Sequence, residues 1–297
     1  MNREHDRFID VQSIWTRYWD LGAGPPIILL HGLGASAETW QYVVGPLSQH
    51  YRVLVPDLIG FGYTDKPNID YTLEAFVGFV GAFMESVAIP QATFVGHSLG
   101  GAIALRIAIE HPDWVQRLVI ADTGGLEETS GLLLKLLRLP LVGECLLSPG
   151  RGKTRKALKL YFYDKSHVTD EIVDLNFRLI SQPGAQRAYL STVRNTISTS
   201  GSEPGIKMLV TDRLDEIEAR TLVLWGAEDE IASPDTAQLI ARGIPNVELH
   251  VIPEAGHNPM AEQPERFNKA LLDFLDPPPA PGTTAPQALS NALRHQT

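Results

Sequence analysis

The chain is short of sulfur and of positive charge. It has one cysteine in 297 residues, Cys145, which excludes an intrachain disulfide and any metal site built on thiolates. Its neighbours Gly143, Glu144, Leu146 and Leu147 are mainly apolar, so it reads as a small core residue; a reactive thiol needs an exposed, electropositive setting. Lysine and arginine number 25 against 35 acidic residues, for a net charge of −10. That balance argues against a nucleic-acid surface and against electrostatic binding to acidic membranes, so no nucleic-acid partner is expected. No apolar run is long enough to cross a bilayer. The most apolar stretch, Leu132 to Leu147, is interrupted by Lys135, Arg138, Pro140 and Glu144. Met1 to Arg7 mixes acids with bases and no apolar segment follows, so no signal peptide is expected and the chain reads as cytoplasmic. No internal repeat is present.

What remains is a chain with 44% hydrophobic and 20% charged residues, the ordinary balance of a globular protein, long enough to bury a substantial core. Phe8 to Ser13 and Trp15 to Asp20 alternate and carry aromatics, as two antiparallel strands at a sheet edge do. Pro26 to Leu30, Arg52 to Pro56, Ala92 to Val95, Arg117 to Ala121 and Thr221 to Gly226 are short apolar runs, the mark of strands covered on both faces. Val247 to Ile252 reads as the last strand. Helices are expected at Leu73 to Val87 with Thr72 as N-cap, from Leu99 to about His111, after Ser233-Pro234, and over Pro264 to Leu275. The alternation predicts an α/β protein with a doubly wound, mostly parallel sheet. Between Gly125 and Pro204 the pattern changes to amphipathic helices, with candidates at Leu132–Leu139, Lys153–Tyr163, Asp170–Ile180 and Gly184–Asn195. The tail from Pro277 to Thr297 is rich in proline and small polar residues and is expected to be disordered.

The chemistry centres on Gly96-His97-Ser98-Leu99-Gly100-Gly101, at the junction of a buried strand and a helix of small residues. Near-bare neighbours let a serine take up a strained turn that lifts its hydroxyl over the sheet edge, where the helix N-terminus favours an anion. With the strand before it and the helix after it, this Gly-x-Ser-x-Gly turn resembles the nucleophile elbow of the α/β-hydrolase superfamily. Further motifs fit over about residues 8 to 276. His31-Gly32-Leu33-Gly34 resembles the oxyanion loop, and Asp57-Leu58-Ile59-Gly60-Phe61-Gly62 resembles the loop after the fourth strand. The resemblance implies an eight-stranded sheet, with core segments 1–124 and 205–276 and a helical cap at 125–204. It also implies a catalytic triad of Ser98, Asp229 and His257, with the Leu33 and Leu99 N–H groups as oxyanion donors. Asp229 is chosen over Glu228 and Glu230 by the pattern Gly-x-x-Asp from Gly226. Asp122 stands where some relatives carry their acid.

The neighbouring polar residues have blander readings. His31 reads as an organiser of its loop, Asp57 as a turn cap, and His97 as a packing residue at the pocket edge. Trp40 and Phe61 from the core, and Leu136 and Leu139 from the cap, are the remaining expected pocket residues. A serine needs a histidine to take its proton, and the histidine needs a carboxylate to fix its tautomer. Relatives that open epoxides or displace halide use aspartate at the nucleophile position, so Ser98 points to acyl transfer. The expectation is a serine hydrolase of small, largely apolar carboxylic esters that works through an acyl-enzyme, without cofactor or metal, as monomer or homodimer. The alternatives are hydrolysis of a carbon–carbon bond in a vinylogous diketone, perhydrolysis, or a ligand-binding receptor without turnover. Carbon–carbon hydrolases usually carry Asn before the serine and Trp after the histidine; here those positions hold His97 and Asn258.

Overall fold

The computed structural model describes residues 4–123, 136–196 and 210–275. Eight strands, β1 (Arg7–Val11), β2 (Ile14–Leu21), β3 (Pro26–Leu30), β4 (Arg52–Pro56), β5 (Ala92–His97), β6 (Val115–Ala121), β7 (Thr221–Gly226) and β8 (Val247–Ile252), form one sheet in the order β1-β2-β4-β3-β5-β6-β7-β8. The pairs β1–β2 and β2–β4 are antiparallel, and every other pair is parallel.

The central strands read as unbroken apolar runs because successive side chains enter two different cores. Ile28 and Leu30 of β3 point to one face with Phe94, Leu118 and Val223. Ile27 and Leu29 point to the other with Val95, Val119 and Leu222. The first face is covered by α1 (Leu73–Ser86), which buries Phe76, Val80 and Phe83 at helical spacing, and by α2 (Leu99–Glu110). Thr72 starts α1 by accepting the Ala75 N–H at 3.2 Å, as its sequence position predicts. The second face packs on Trp40, Leu47 and the helix Pro264–Leu275.

The described residues between β6 and β7 form the helices α3 (Val142–Leu146), α4 (Arg151–Tyr161), α5 (Asp170–Ile180) and α6 (Ala185–Thr196), and no strand. Helix α5 has the bounds predicted for it, and α4 begins and ends two residues early because Phe162 turns to extended backbone. Of the helix expected at Leu132–Leu139, only its end is described, with Leu136 to Arg138 helical; the outer parts of 125–204 and the tail 277–297 lie outside the described residues. One expectation is corrected here: Cys145 is exposed, not core. Helix α3 buries Gly143, which abuts the Leu137 carbonyl and Leu190, and a residue two positions on faces nearly the opposite way.

After β7, Ser233 caps α7 (Pro234–Gly243), accepting the Asp235 N–H at 3.2 Å, and Pro264–Leu275 follows as α8.

Candidate active site

Parallel strands bring β3, β5, β6, β7 and β8 to one edge with their carboxyl ends together, and the loops that leave that edge carry the chemistry. Ser98 caps α2 at φ 53° and ψ −117°, a left-handed conformation rare for a side-chain-bearing residue. Its glycines are needed by contact. A Cβ on Gly96 would collide with the Gly100 carbonyl, and one on Gly100 with the Leu30 carbonyl. The Ser98 hydroxyl therefore stands over the sheet edge at the start of α2.

His257 is 1% exposed, and its Nε2 lies 3.1 Å from Ser98 Oγ. Its Nδ1 lies 2.8 Å from Asp229 Oδ2, and Asp229 Oδ1 accepts the N–H groups of Ile231 at 2.8 Å and Ala232 at 3.0 Å. The carboxylate thus faces His257 with one oxygen while its own loop holds the other. Glu228 bonds the Ala255 N–H instead, and Glu230 is exposed, so neither rival faces His257. Asp122 is fully buried and accepts the Gly226 N–H at 2.8 Å. One oxygen of each aspartate and a ring nitrogen of His257 lie within 4.8 Å of one another.

The neighbouring histidines serve as braces. His31 accepts the Leu58 N–H on Nε2 at 2.9 Å and contacts the Gly32 carbonyl through Nδ1 at 2.8 Å, tying the loops after β3 and β4 together. Burial lowers its pKa. His97 donates from Nε2 to the His257 carbonyl at 2.7 Å; burial, then the neighbouring His257, pushes its pKa down to about 3, so it is a neutral ring. Asp57 accepts the N–H groups of Ala37 and Tyr63, each at 2.7 Å, the capping role its turn predicts.

Two braces escaped the sequence reading. Arg17 is buried under the loop after β3, with its guanidinium 2.7 Å from Glu38, 3.2 Å from Asp57 and 2.5 Å from Asp6. Glu262 accepts the N–H of Gly256 beside His257 at 2.7 Å. It also accepts those of Tyr163 at 2.7 Å and Asp164 at 3.0 Å, which follow α4. Nothing local distinguishes either from a surface charge: Arg17 meets Glu38 and Asp57 21 and 40 residues on, and Glu262 meets Tyr163 and Asp164 99 and 98 residues back.

Above Ser98 lies a cavity of about 360 Å³, bordered by Leu33, His97, Leu99 and His257. Leu158, Tyr161, Leu175, Leu179 and Tyr189 of the inserted helices roof it. The Tyr161 ring lies 5.5 Å from the His257 ring, and the Tyr161 carbonyl accepts the His257 N–H at 3.0 Å. Of the expected pocket residues, His97 borders this cavity and four others do not. Trp40 is buried against Phe267 and meets His97 edge-on. Phe61 stacks on Phe76 and borders a small separate crevice. Leu139 faces solvent at 49% exposure, and Leu136 lies outside the lining. Helical spacing could not say which inserted helices face the cavity; α4, α5 and α6 do.

A serine at a strand-to-helix turn, bonded to a histidine after the last strand and backed by a carboxylate, defines the class: a hydrolase built on a doubly wound sheet. The chain belongs to the alpha/beta hydrolase family, whose model matches residues 27–270. It is 31% identical over 283 residues to 2-hydroxy-6-oxo-2,4-heptadienoate hydrolase of Pseudomonas putida, covering 93% of this chain and 98% of that protein. To 2-hydroxy-6-oxo-6-phenylhexa-2,4-dienoate hydrolase of Burkholderia cepacia it is 30% identical over 265 residues, 86% of this chain and 89% of that one. The solved meta-cleavage product hydrolase of Pseudomonas fluorescens matches with a TM-score of 0.79 at 29% identity, covering 93% of this chain and 99% of that one. Among the described residues no helix is long and apolar enough to cross a membrane.

Proposed function

We propose that the protein is a serine hydrolase that cleaves the carbon–carbon bond beside a ketone in a vinylogous diketone, with Ser98, His257 and Asp229 as its triad. The observation that carries this reading is the hydrogen-bonded chain Ser98–His257–Asp229, in a protein whose near full-length relatives are named as 2-hydroxy-6-oxo-dienoate hydrolases. Composition and motifs alone favour ester cleavage; the relatives move the preference to the carbon–carbon bond. In the proposed route Ser98 Oγ attacks the carbonyl carbon and its proton passes to His257 Nε2. The Leu33 and Leu99 N–H groups receive the oxyanion; Leu99 opens α2, so its N–H has no acceptor within the helix. Cleavage follows a tautomeric shift of the substrate's 2-enol proton to carbon 5; the pair from the broken carbon–carbon bond then spreads into the conjugated 2-ketone as a dienolate, and the leaving fragment takes the proton from His257. Water, deprotonated by His257, then releases the acyl group from Ser98. Asp229 holds the Nδ1 proton throughout. Segment 125–204 serves as the cap that excludes water, and the exposed single thiol fits a cytoplasmic enzyme.

A second reading, hydrolysis of a neutral ester, is favoured by one observation. The names of the relatives describe carboxylate substrates, and a carboxylate in an apolar cavity needs a cation. Among the described residues lining this cavity, the one lysine or arginine is Lys153, an exposed residue whose ammonium is 2.5 Å from Ser148 Oγ. The two readings separate in one assay. A 2-hydroxy-6-oxo-dienoate bearing methyl or phenyl at carbon 6 is run beside p-nitrophenyl esters of graded length. Carbon–carbon hydrolysis predicts that kcat/KM for the dienoate exceeds that for the best ester by about 100-fold or more, some 2.7 kcal/mol of transition-state preference. Turnover of esters alone supports the second reading. Turnover of neither, with no labelling of Ser98 by a fluorophosphonate, removes the hydrolase assignment of these residues.

A further inference from the structure

We propose that Asp122 is a positioning residue: a neutral carboxylic acid that donates its proton in a hydrogen bond to the Asp229 carboxylate and so fixes the oxygen that Asp229 presents to His257. The inference rests on the reading of Asp229 as the triad acid. Strands β6 and β7 are parallel neighbours paired Ala121 with Leu224, so residues just beyond their carboxyl ends meet. Asp122 is the first residue past β6, at φ 45°, and its side chain turns toward the end of β7. Its Oδ1 accepts the Gly226 N–H, while Oδ2 is buried and meets no donor among the described residues.

Asp229 is supplied differently. It receives the Ile231 and Ala232 N–H groups on one oxygen and faces His257 Nδ1 with the other, so both of its oxygens are partnered. The titratable groups facing Asp122 are Asp229 and, from the segments after β8, His257 and Glu262. Two of these three are acids. A second negative charge this close to Asp229, in a site closed to water, lacks the donors that would stabilise it, so the orphaned oxygen carries a proton and Asp229 is the acceptor beside it. Burial, then the charge of Asp229, holds the Asp122 carboxyl protonated well above the usual carboxylate range. The same three residues do not make a metal site here, because His257 Nδ1 and Asp229 Oδ2 are hydrogen-bonded at 2.8 Å and leave no room for an ion between them.

The test follows the rate at which a fluorophosphonate labels Ser98 against pH, which reads the serine, histidine and acid without assuming a substrate. Asn at this position keeps both bonds, accepting the Gly226 N–H and donating to Asp229, so D122N is expected to label within about threefold of wild type with an unchanged pH profile. D122L keeps the branching at Cγ with a larger side chain, and loses the donor and the acceptor for the Gly226 N–H. Its labelling is expected to fall about tenfold or more, and its acid limb to move to higher pH, because the undivided charge of Asp229 then stabilises the imidazolium more. D229N is expected to fall further than D122L. Should D122L label like wild type, the positioning role is overturned while the triad stands. Should D122N be crippled and D229N be the less affected, Asp122 is the ionised acid and both readings fail together.

Two measurements do not need the leucine variant to fold. The infrared difference between wild type and D122N at neutral pH should contain the carbonyl stretch of a protonated carboxylic acid; its absence overturns the proposal. A carboxyl protonated when folded and ionised when unfolded makes the folded chain bind more protons, so wild type should lose Tm relative to D122N as pH rises from about 5 to 8. A constant gap in Tm overturns it as well.

Discussion

Ser98 holds a left-handed conformation at φ 53°, a backbone cost on the order of 1–3 kcal/mol that the fold tolerates because the hydroxyl must stand clear of the sheet. Glycine relieves that strain and alanine does not. Both S98A and S98G should therefore abolish turnover, while S98G alone gains about 1 kcal/mol in urea denaturation. Replacing Asp229 by Asn should lower kcat about 10³- to 10⁴-fold with little change in KM, the scale of a triad acid that no longer sets the histidine tautomer. His97 matters to stability for another reason. Folded, its pKa is pushed down to about 3 from an ordinary 6.5, so the unfolded chain binds the extra proton. Stability from this group is whole above about pH 6.5 and is lost as pH falls toward 3. H97N should flatten that acid decline, measured as Tm against pH. Part of the decline should remain, because His31, also buried with a lowered pKa, titrates in the same direction.

At the scale of the element, the loop after β3 depends on a charge cluster beneath it. Against the cost of burial, Asp57, Glu38 and Asp6 hold Arg17 charged, and the cation–π stacks on Tyr63 at 5.1 Å and Trp19 at 5.4 Å fix its plane. Asp57 in turn holds the Ala37 N–H, and so the far side of the loop that carries Leu33. R17M leaves buried carboxylates unpaired. It should cost about 3–5 kcal/mol in urea denaturation. Activity should fall as well, since the loop loses its anchor. Helices α4, α5 and α6 carry the side chains over the cavity, so L175A or L179A in α5 should shift the preferred substrate toward a longer or bulkier acyl group. Each methylene accommodated is worth about 0.8 kcal/mol, roughly fourfold in kcat/KM. The same changes at Leu136 or Leu139 should leave a chain-length series unmoved, because neither residue borders the cavity.

Across the whole molecule, the inserted helices and the sheet are joined at a buried carboxylate. Glu262 follows β8 and accepts N–H groups both from Gly256, beside His257, and from Tyr163 and Asp164, just past α4. E262A orphans the buried Gly256 N–H, worth about 1–3 kcal/mol when left unpaired, and releases the part-buried N–H groups of Tyr163 and Asp164. The variant should unfold at lower urea concentration and lose activity in the same step, since the loop bearing His257 and the connection to the roof slacken together. Hydrogen exchange at Tyr163 and Gly256 should rise together in this variant; a rise at one alone would mean that the two layers are held separately.

Much of this fold was legible along the chain because the signals are local. Apolar runs of the length of Pro26–Leu30 or Thr221–Gly226 mark strands covered on both sides. Thr72, Ser233 and Pro234 start helices through contacts one turn away. Gly96 and Gly100 flank a serine whose turn admits no Cβ on either side. The residues proposed as the triad were readable for the same reason: each sits at a strand end with its own turn chemistry. What only the tertiary structure decided depends on which distant segments share space. Cys145 is exposed because α3 buries Gly143, and the cavity belongs to Leu175, Leu179 and Tyr189 rather than Leu136 and Leu139 because of how the inserted helices are turned. Arg17 and Glu262, unremarkable in sequence, became braces once loops far apart in the chain closed around them. The pairing of Asp122 with Asp229 spans a whole inserted segment. A buried charge is defined by its neighbours, and periodicity along a chain carries no record of them.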